Sequence, residues 1–474
     1  MVRSSASTMV AAAVTVAAIA LSAGEAHAQG FGVYEQGTCV MGRAGAAVAE
    51  PCDDGSAIFF NPAALPSGEE WRVTFGATAI VADGEFEADA GGSTDLDSDI
   101  AVVPHAYVTR GLGERWSAGL GVFAPYGLQT KWPLDFEGRF VGFDNRLQSI
   151  YVQPTVSFRS EDGRFAVGGG PTLVVSSVEL NRRLDLAAFP VPAMPEAGVP
   201  AGTTFGEIGL VPPGTDFGTA ALESGRETGY GANLGVRARV TERVSLGLRY
   251  MTGVEIEYDD GEAEFRQIET GITLPADNPL GAPAGTPIDG FLQGAFAANG
   301  PLGDQGVSTV IEMPAQLVAG VAVDATDRLT LHGDWQWTEW SSFDRVVLEF
   351  SNPATPTEVL VENYDDTNGI RLGAAWAFED GYKGRFGYFW NEEASPTRAV
   401  TPLLPEASRN QGMIGATLPL TETFTLDLAY QVLFQEDRRG RSVPVPPGAD
   451  AETFTNGEFS FGSHLFGATV RLRF

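Results

Sequence analysis

Few side chains in this sequence are of a type and spacing that would do covalent chemistry. Beyond a leader expected to end at Ala28, the histidines are His105, His332 and His464, and none stands in a recognisable Ser/His/Asp arrangement. His332 and Asp334 share one face of an alternating segment, but a base must sit beside a nucleophile or a water to act, and a structural hydrogen bond explains the pair equally well. An enzyme is therefore not expected, and neither a cofactor nor a metal site is assigned. Cys39 and Cys52 are the two cysteines, and in an exported chain a disulfide between them is favoured over two free thiols. Arg249, Arg371 and Arg385 fall on the inward phase of their segments. Each would meet a ligand carboxylate through a charge-assisted hydrogen bond, although a buried arginine more often pairs with an acid such as Asp334 or Asp427. Phe31, Tyr34, Phe59 and Phe60 are the aromatic candidates for the inner end of an apolar ligand pocket.

The elements that must hold these residues are strands. About fourteen segments of alternating apolar and polar residues lie between Trp71 and Phe474. Between 423 and 435, Phe424, Leu426, Leu428, Tyr430, Val432 and Phe434 share one face, with Asp427 and Gln431 on the other. Every second joint is a tight polar turn, at 111–115, 160–164, 240–243, 324–328, 379–383 and 420–423, and the remaining joints are long. Short turns on one rim and long loops on the other are the layout of an outer-membrane barrel. The fold class expected is all-β, a transmembrane antiparallel β-barrel of 14 strands with an N-terminal hatch in its lumen. Residues 1–28 read as a signal peptide, 29–68 as the hatch and 69–474 as the barrel, with long extracellular loops at 83–99, 126–146, 187–222, 266–306, 351–364, 396–409 and 437–461.

Composition agrees with export to an outer membrane. Arg3 precedes an apolar run from 9 to 20, and Ala26-His27-Ala28 has the small-x-small form of a cleavage site. No later apolar run reaches the ~18 residues of a helical span. A mean hydropathy of -0.02 is too polar for a helical bundle in lipid, which leaves a closed barrel as the way to satisfy every backbone polar group. A formal charge of -31, with acids crowded in the long loops, argues against nucleic acid and keeps the exposed rim solvated. Outer-membrane lipid is the expected surrounding, and a monomer the expected state. The last strand ends on Phe474, the terminal aromatic typical of barrels recognised for assembly.

Several short strings carry a family resemblance. They are Gly30-Phe-Gly-Val-Tyr-Glu-Gln, Gly42-Arg-Ala-Gly-Ala, Phe60-Asn-Pro-Ala63, Pro125-Tyr-Gly-Leu, Trp337-Thr-Glu-Trp-Ser-Ser-Phe343, and Ser395-Pro-Thr followed by Leu404-Pro-Glu-Ala-Ser-Arg409. In this order the sequence resembles the FadL/TodX-type outer-membrane transporters of long-chain fatty acids and other hydrophobic compounds. The resemblance implies a hatch carrying Asn61, Pro62 and Ala63, and lateral release of ligand through a gap at a kinked third strand, here Pro125, Tyr126 and Gly127. Proline removes a ladder donor and glycine weakens pairing, so Pro-Tyr-Gly suits a gap, though it also reads as a loop entry.

The expected function is passive uptake of hydrophobic small molecules, foremost long-chain fatty acids, with aromatic or aliphatic hydrocarbons and a general porin as alternatives. An adhesin or phage receptor acting through the loops is a further possibility that would coexist with transport. Phe189, Val191, Met194, Phe205, Ile208, Leu210, Phe291, Leu292 and Phe296 would either capture ligand at the surface or pack the loops against themselves.

Overall fold

The computed structural model describes residues 30–97, 99–191, 199–446 and 448–474. The expected leader, Gln29 and Met194 lie outside these residues. Among the described residues, alternation of period two resolves into fourteen antiparallel barrel strands. They are β1 (Trp71–Ala88), β2 (Ala101–Gly111), β3 in two pieces (Trp116–Phe123 and Gly127–Lys131), β4 (Asp144–Arg159) and β5 (Phe165–Asp185). Next come β6 (Asp216–Glu223 and Glu227–Arg239), β7 (Val244–Met251 and Val254–Gln267) and β8 (Gln305–Met313 and Gln316–Asp324). The circuit ends with β9 (Leu329–Thr338), β10 (Thr367–Ala377), β11 (Lys383–Asn391), β12 (Arg409–Pro419), β13 (Phe424–Gln435) and β14 (Gly457–Arg473). Each strand pairs with its neighbours in sequence, and β14 returns to β1 in register from Arg72↔Arg473 to Ala88↔Gly457. Closure pairs the strands around the circuit, save for 101–105 of β2, which have no β3 partner among the described residues.

The outward faces mark where lipid ends. On β7, Leu246, Leu248 and Tyr250 are exposed, and the next outward positions are Glu255, Glu257 and Asp259. On β1, Phe75 and Val81 are exposed and are followed by Asp83. Charges facing lipid are destabilising toward the bilayer midplane, so the upper boundary lies near Tyr250 and Val81. Above it the backbone ladder continues without an apolar outer face.

That continuation corrects several expected loop bounds. β1 runs through Ala88 and pairs with Ser93–Asp95, so 83–99 is largely strand. Span 126–146 contains the upper piece of β3 and the start of β4; β6 begins at Asp216, inside 187–222. Span 351–364 holds Glu358–Val361, the second arm of a hairpin with Arg345–Phe350, while Arg438–Gly440 and the start of β14 lie inside 437–461. Hydropathy alternation reports lipid, whereas the ladder needs only hydrogen-bonded backbone, so the sequence pattern fades before the strands do.

The N-terminal stretch from Gly30 to Leu65 lies inside the barrel and is buried almost throughout. Its elements are short: helices Thr38–Met41 and Ala57–Phe60 and a 3-10 turn at Pro62–Ala64. Cys39 and Cys52 are joined by a disulfide that closes the loop between the two helices. Inward glycines let this chain touch the wall. A Cβ on Gly247 would stand 2.1 Å from the Val48 carbonyl oxygen, and one on Gly387 would stand 2.3 Å from the Ala44 nitrogen.

Candidate functional site

The wall is interrupted at β3. β2 pairs with β3 only from Gly111↔Ser117 to Ala106↔Val122, leaving 101–105 without a β3 partner. β3 pairs with β4 at Phe123↔Tyr151 and resumes at Gly127↔Gln148, so it carries one extra residue between these points. An extra residue bends a strand and breaks its ladder, and Pro125 has no N–H to restore it. The N-terminal segment takes up the freed groups. Val33 N–H donates to the Pro125 carbonyl at 2.7 Å and Gly127 N–H donates to the Phe31 carbonyl at 2.8 Å. Gln36 imitates a strand with its side chain: Nε2 donates to the Ala124 carbonyl at 2.7 Å, and Oε1 accepts from Ala124 N–H at 3.0 Å.

Directly above lies an apolar cavity of about 140 Å³. Its floor is Phe31, and its sides come from separate strands: Leu128 of β3, Leu147 of β4, Val178 of β5, Leu222 of β6 and Ile311 of β8. Loop residues Phe343, Leu348, Leu360 and Leu404 complete it. Phe31 is held edge-on by Trp340 at 4.8 Å, Phe343 at 5.1 Å and Tyr126 at 6.0 Å between ring centroids. Gly30 has φ 48°, and a Cβ there would lie 2.6 Å from the Trp340 ring, so only glycine lets Phe31 seat in this way. Phe31 thus touches both the cavity and the interrupted wall.

Charge at the cavity is mostly acidic. Glu179, Glu223 and Glu362 line it, and Arg146 is its one lining cation among the described residues. Arg146 Nη1 lies 3.3 Å from Glu179 Oε2. Burial raises the Glu362 carboxyl to about 7, against the opposing pull of Arg441 and Arg398.

The sequence-predicted residues are spread more widely than one site. Phe31 lines the cavity, and Tyr126 packs beneath it with its hydroxyl donating to the Pro314 carbonyl at 2.6 Å. Tyr34, Phe59 and Phe60 do not line it. Arg249 lies 4.2 Å from the Phe59 ring centroid and donates to Asn233 and Gln316. Arg371 is sandwiched by Tyr34 and Phe389 at 4.5 and 4.4 Å. Arg385 donates to Thr417 at 2.7 Å, lower in the lumen. The expectation that one of these arginines meets a ligand carboxylate is thus not met at this cavity. Strand phase says that a residue points inward but not at what height, and at these heights the lumen is filled by the N-terminal segment.

Asn61 does terminate that segment in a fixed turn. Its Oδ1 accepts from Ala63 N–H at 3.0 Å, and Nδ2 donates to the carbonyls of Val48 at 2.6 Å and Val236 at 3.0 Å. Pro62 and Ala63 follow as the turn itself, against β4, β5 and β6. His332 and Asp334 both face the same segment: His332 meets Arg43, while Asp334 accepts from the Ala47 and Val48 N–H groups. Of the loop apolar residues, Val191, Phe205 and Leu292 are buried in a separate loop core against which Phe189, Ile208, Leu210 and Phe296 pack. Arg146, Glu179, Glu223, Glu362 and Gln36 were not singled out from sequence. Of these, only Gln36 falls within a string that carried the family resemblance.

A family model described as outer membrane protein transport protein (OMPP1/FadL/TodX) matches residues 19–474. Among curated proteins, the chain is similar to outer membrane protein P1 of Haemophilus influenzae, at 23% identity over 88% of each chain. It is also similar to the long-chain fatty acid transport protein of Escherichia coli O6:H1, at 22% identity over 96% of this chain and 97% of that one. Among solved structures, a Pseudomonas aeruginosa FadL homologue superposes with a TM-score of 0.72 at 20% identity, over 94% of this chain and 99% of that chain. The Pseudomonas putida toluene transporter TodX superposes with a TM-score of 0.64 at 16% identity, over the same shares.

Proposed function

The chain belongs to the OMPP1/FadL/TodX family of outer-membrane transport proteins, which carry hydrophobic compounds, and from that premise we propose that its ligands are uncharged and of about monoaromatic size. The observation that carries this reading is the cavity above Phe31, where, among the described residues, the one lining cation is already held by Glu179 and the other lining charges are acids. A carboxylate headgroup would meet repulsion there, whereas a hydrocarbon meets leucine, valine and phenylalanine. Size points the same way: a dry cavity of ~150 Å³ holds benzene, close to the 140 Å³ found here. A long acyl chain would have to extend out of the cavity toward the loops.

Release in this reading is lateral. A ligand leaving the cavity past Phe31 enters the interruption between β2 and β3, where only the N-terminal segment closes the wall. No energy source is required, since the compound moves from a shielded apolar surface into lipid. The hatch and the Pro125-Tyr126-Gly127 kink are then the moving and fixed sides of one gate.

A second reading, fatty-acid uptake, is favoured by Arg146 itself. Exchange of Glu179 for a ligand carboxylate would supply a headgroup site, and the acyl chain would extend upward toward the loops. Binding to the detergent-purified full chain decides between the two, with radiolabelled toluene as probe and oleate as competitor. Saturable toluene binding that oleate does not displace supports the uncharged class. Saturable oleate binding that is lost in Arg146→Gln supports the second reading, and absence of saturable binding by either sinks both.

A further inference from the structure

On the rim of short turns, below the N-terminal segment, the lumen opens into a second cavity of about 890 Å³. The chain as a whole carries 61 acidic against 30 basic residues, yet this cavity is lined by eight Arg or Lys against six Asp or Glu. Much of that charge is matched. Arg72 and Arg473 share Asp53 at 3.1 and 2.6 Å, Arg243 meets Asp327 at 3.0 Å, and Arg471 holds Asp427 at 2.7 Å. Among the described residues Arg43 and Lys383 form no ion pair with a carboxylate, and Arg385 only shares Asp427, at 3.8 Å, with Arg471.

Arg43 comes from the N-terminal segment and is 4% exposed. Its Nη1 meets His332 Nε2 at 2.7 Å and its Nη2 donates to the Glu50 carbonyl, but its Nε has no acceptor. Arg385 comes from β11 and is likewise 4% exposed. Its Nη2 donates to Thr417, while its Nη1 lies 3.8 Å from Asp427 Oδ1, beyond hydrogen-bond reach of a carboxylate that Arg471 and Thr417 already occupy. Lys383 is the preceding inward position of β11, at the mouth of the cavity. These three cations lie close enough to repel one another. The Glu50 carboxylate lines the same space and offsets one of them.

Guanidinium and ammonium groups lining one polar cavity, with like charges gathered round it, are what an oxyanion satisfies, because its oxygens accept from several such donors at once. We propose that Arg43, Arg385 and Lys383 form an oxyanion site at the periplasmic end of the lumen, binding a phosphate, sulfate or carboxylate group. Such an ion joins the N-terminal segment, through Arg43, to the wall, through Arg385 and Lys383. The site is independent of which compound the upper cavity carries.

The test is calorimetric titration of the full chain, in a non-ionic detergent, with inorganic phosphate against a chloride control of equal ionic strength. Saturable phosphate binding is expected, weakened at least tenfold in Arg385→Gln and in Lys383→Gln. Arg328→Gln should bind as wild type, because that guanidinium lines the same cavity but lies 3.5 Å from Glu379. Lys383 is exposed at a strand end, so its variant keeps the test alive if Arg385→Gln fails to assemble. A parallel titration with octanoate separates the sources. Competition with phosphate assigns the site to the carboxylate of an amphiphile, and its absence assigns it to a free inorganic ion. Phosphate heats equal to the chloride control, or binding unchanged in both variants, overturn the proposal.

Discussion

At the scale of single residues, the lining acid with an unusual environment is Glu362. Its carboxyl is raised to about 7 by burial, so it is neutral below that pH and ionised above it. An apolar ligand that displaces water from the cavity penalises the charged form further, which raises the bound-state value above the free one. Linkage then fixes the sign: binding is tightest below the free value, weakens as pH rises through it, and levels off above the bound value. The loss is about tenfold for each unit by which the ligand raises the carboxyl. Toluene affinity of the wild type is therefore expected to fall several-fold between pH 6 and pH 8.5, while Glu362→Gln holds the low-pH affinity throughout. A flat wild-type profile would remove Glu362 from the ligand's surroundings. None of this was legible in the sequence, because Glu362 sits in a loop where acids are common, and its burial depends on the hairpin Arg345–Phe350 and Glu358–Val361 folding over the lumen.

At the scale of elements, the strands were legible and their meeting points were not. Alternation set by lipid on one side gave the inward phase of Arg249, Gln431 and His332, all of which are buried on the lumenal side. The same alternation carries no height, so the cavity, which draws short stretches from β3, β4, β5, β6, β7 and β8, has no local signature. The interruption of β3 lies between the two cases. Pro125 and Gly127 advertise a break, but that Gln36 bridges it from 88 positions away is a tertiary fact. Gln36 supplies both a donor and an acceptor to Ala124, and its loss leaves two backbone groups at the break without partners. Each such group costs about 1–3 kcal/mol when buried. Gln36→Ala is expected to leave the barrel assembled and to lose amide hydrogen-exchange protection at Ala124 and Gly127 by one to two orders of magnitude. Protection equal to wild type would mean that the Phe31 and Val33 backbone bonds alone hold the break closed. Gln36→Glu retains the acceptor but not the donor, and an intermediate loss is expected of it.

At the scale of the whole molecule, a fourteen-stranded wall encloses more space than its own inward side chains fill, and the N-terminal segment occupies the remainder. The fit depends on backbone lying against backbone. Besides Gly247 and Gly387, a Cβ on Gly168 would lie 2.3 Å from the Pro62 carbonyl oxygen, and one on Gly235 would lie 2.1 Å from Asn61 Oδ1. These glycines sit on β5, β6, β7 and β11, so the segment is seated around much of the circuit. A bulky side chain at Gly168, Gly247 or Gly387 cannot be absorbed by a neighbouring rotamer, because the nearest atoms it meets are backbone. Gly387→Val is therefore expected to push the stretch around Arg43 and Ala44 off the wall while leaving the outward face of β11, and hence insertion into lipid, intact. In planar bilayers the wild type should show little ion conductance, and Gly387→Val should show openings of pore size or frequent flicker. Gly333→Val serves as control: it lies between the inward positions His332 and Asp334, and a Cβ there meets only Leu372 at 3.8 Å. If Gly387→Val inserts and stays as closed as Gly333→Val, the segment yields locally without opening a path, and closure must then rest on the upper loops rather than on the seat the glycines provide.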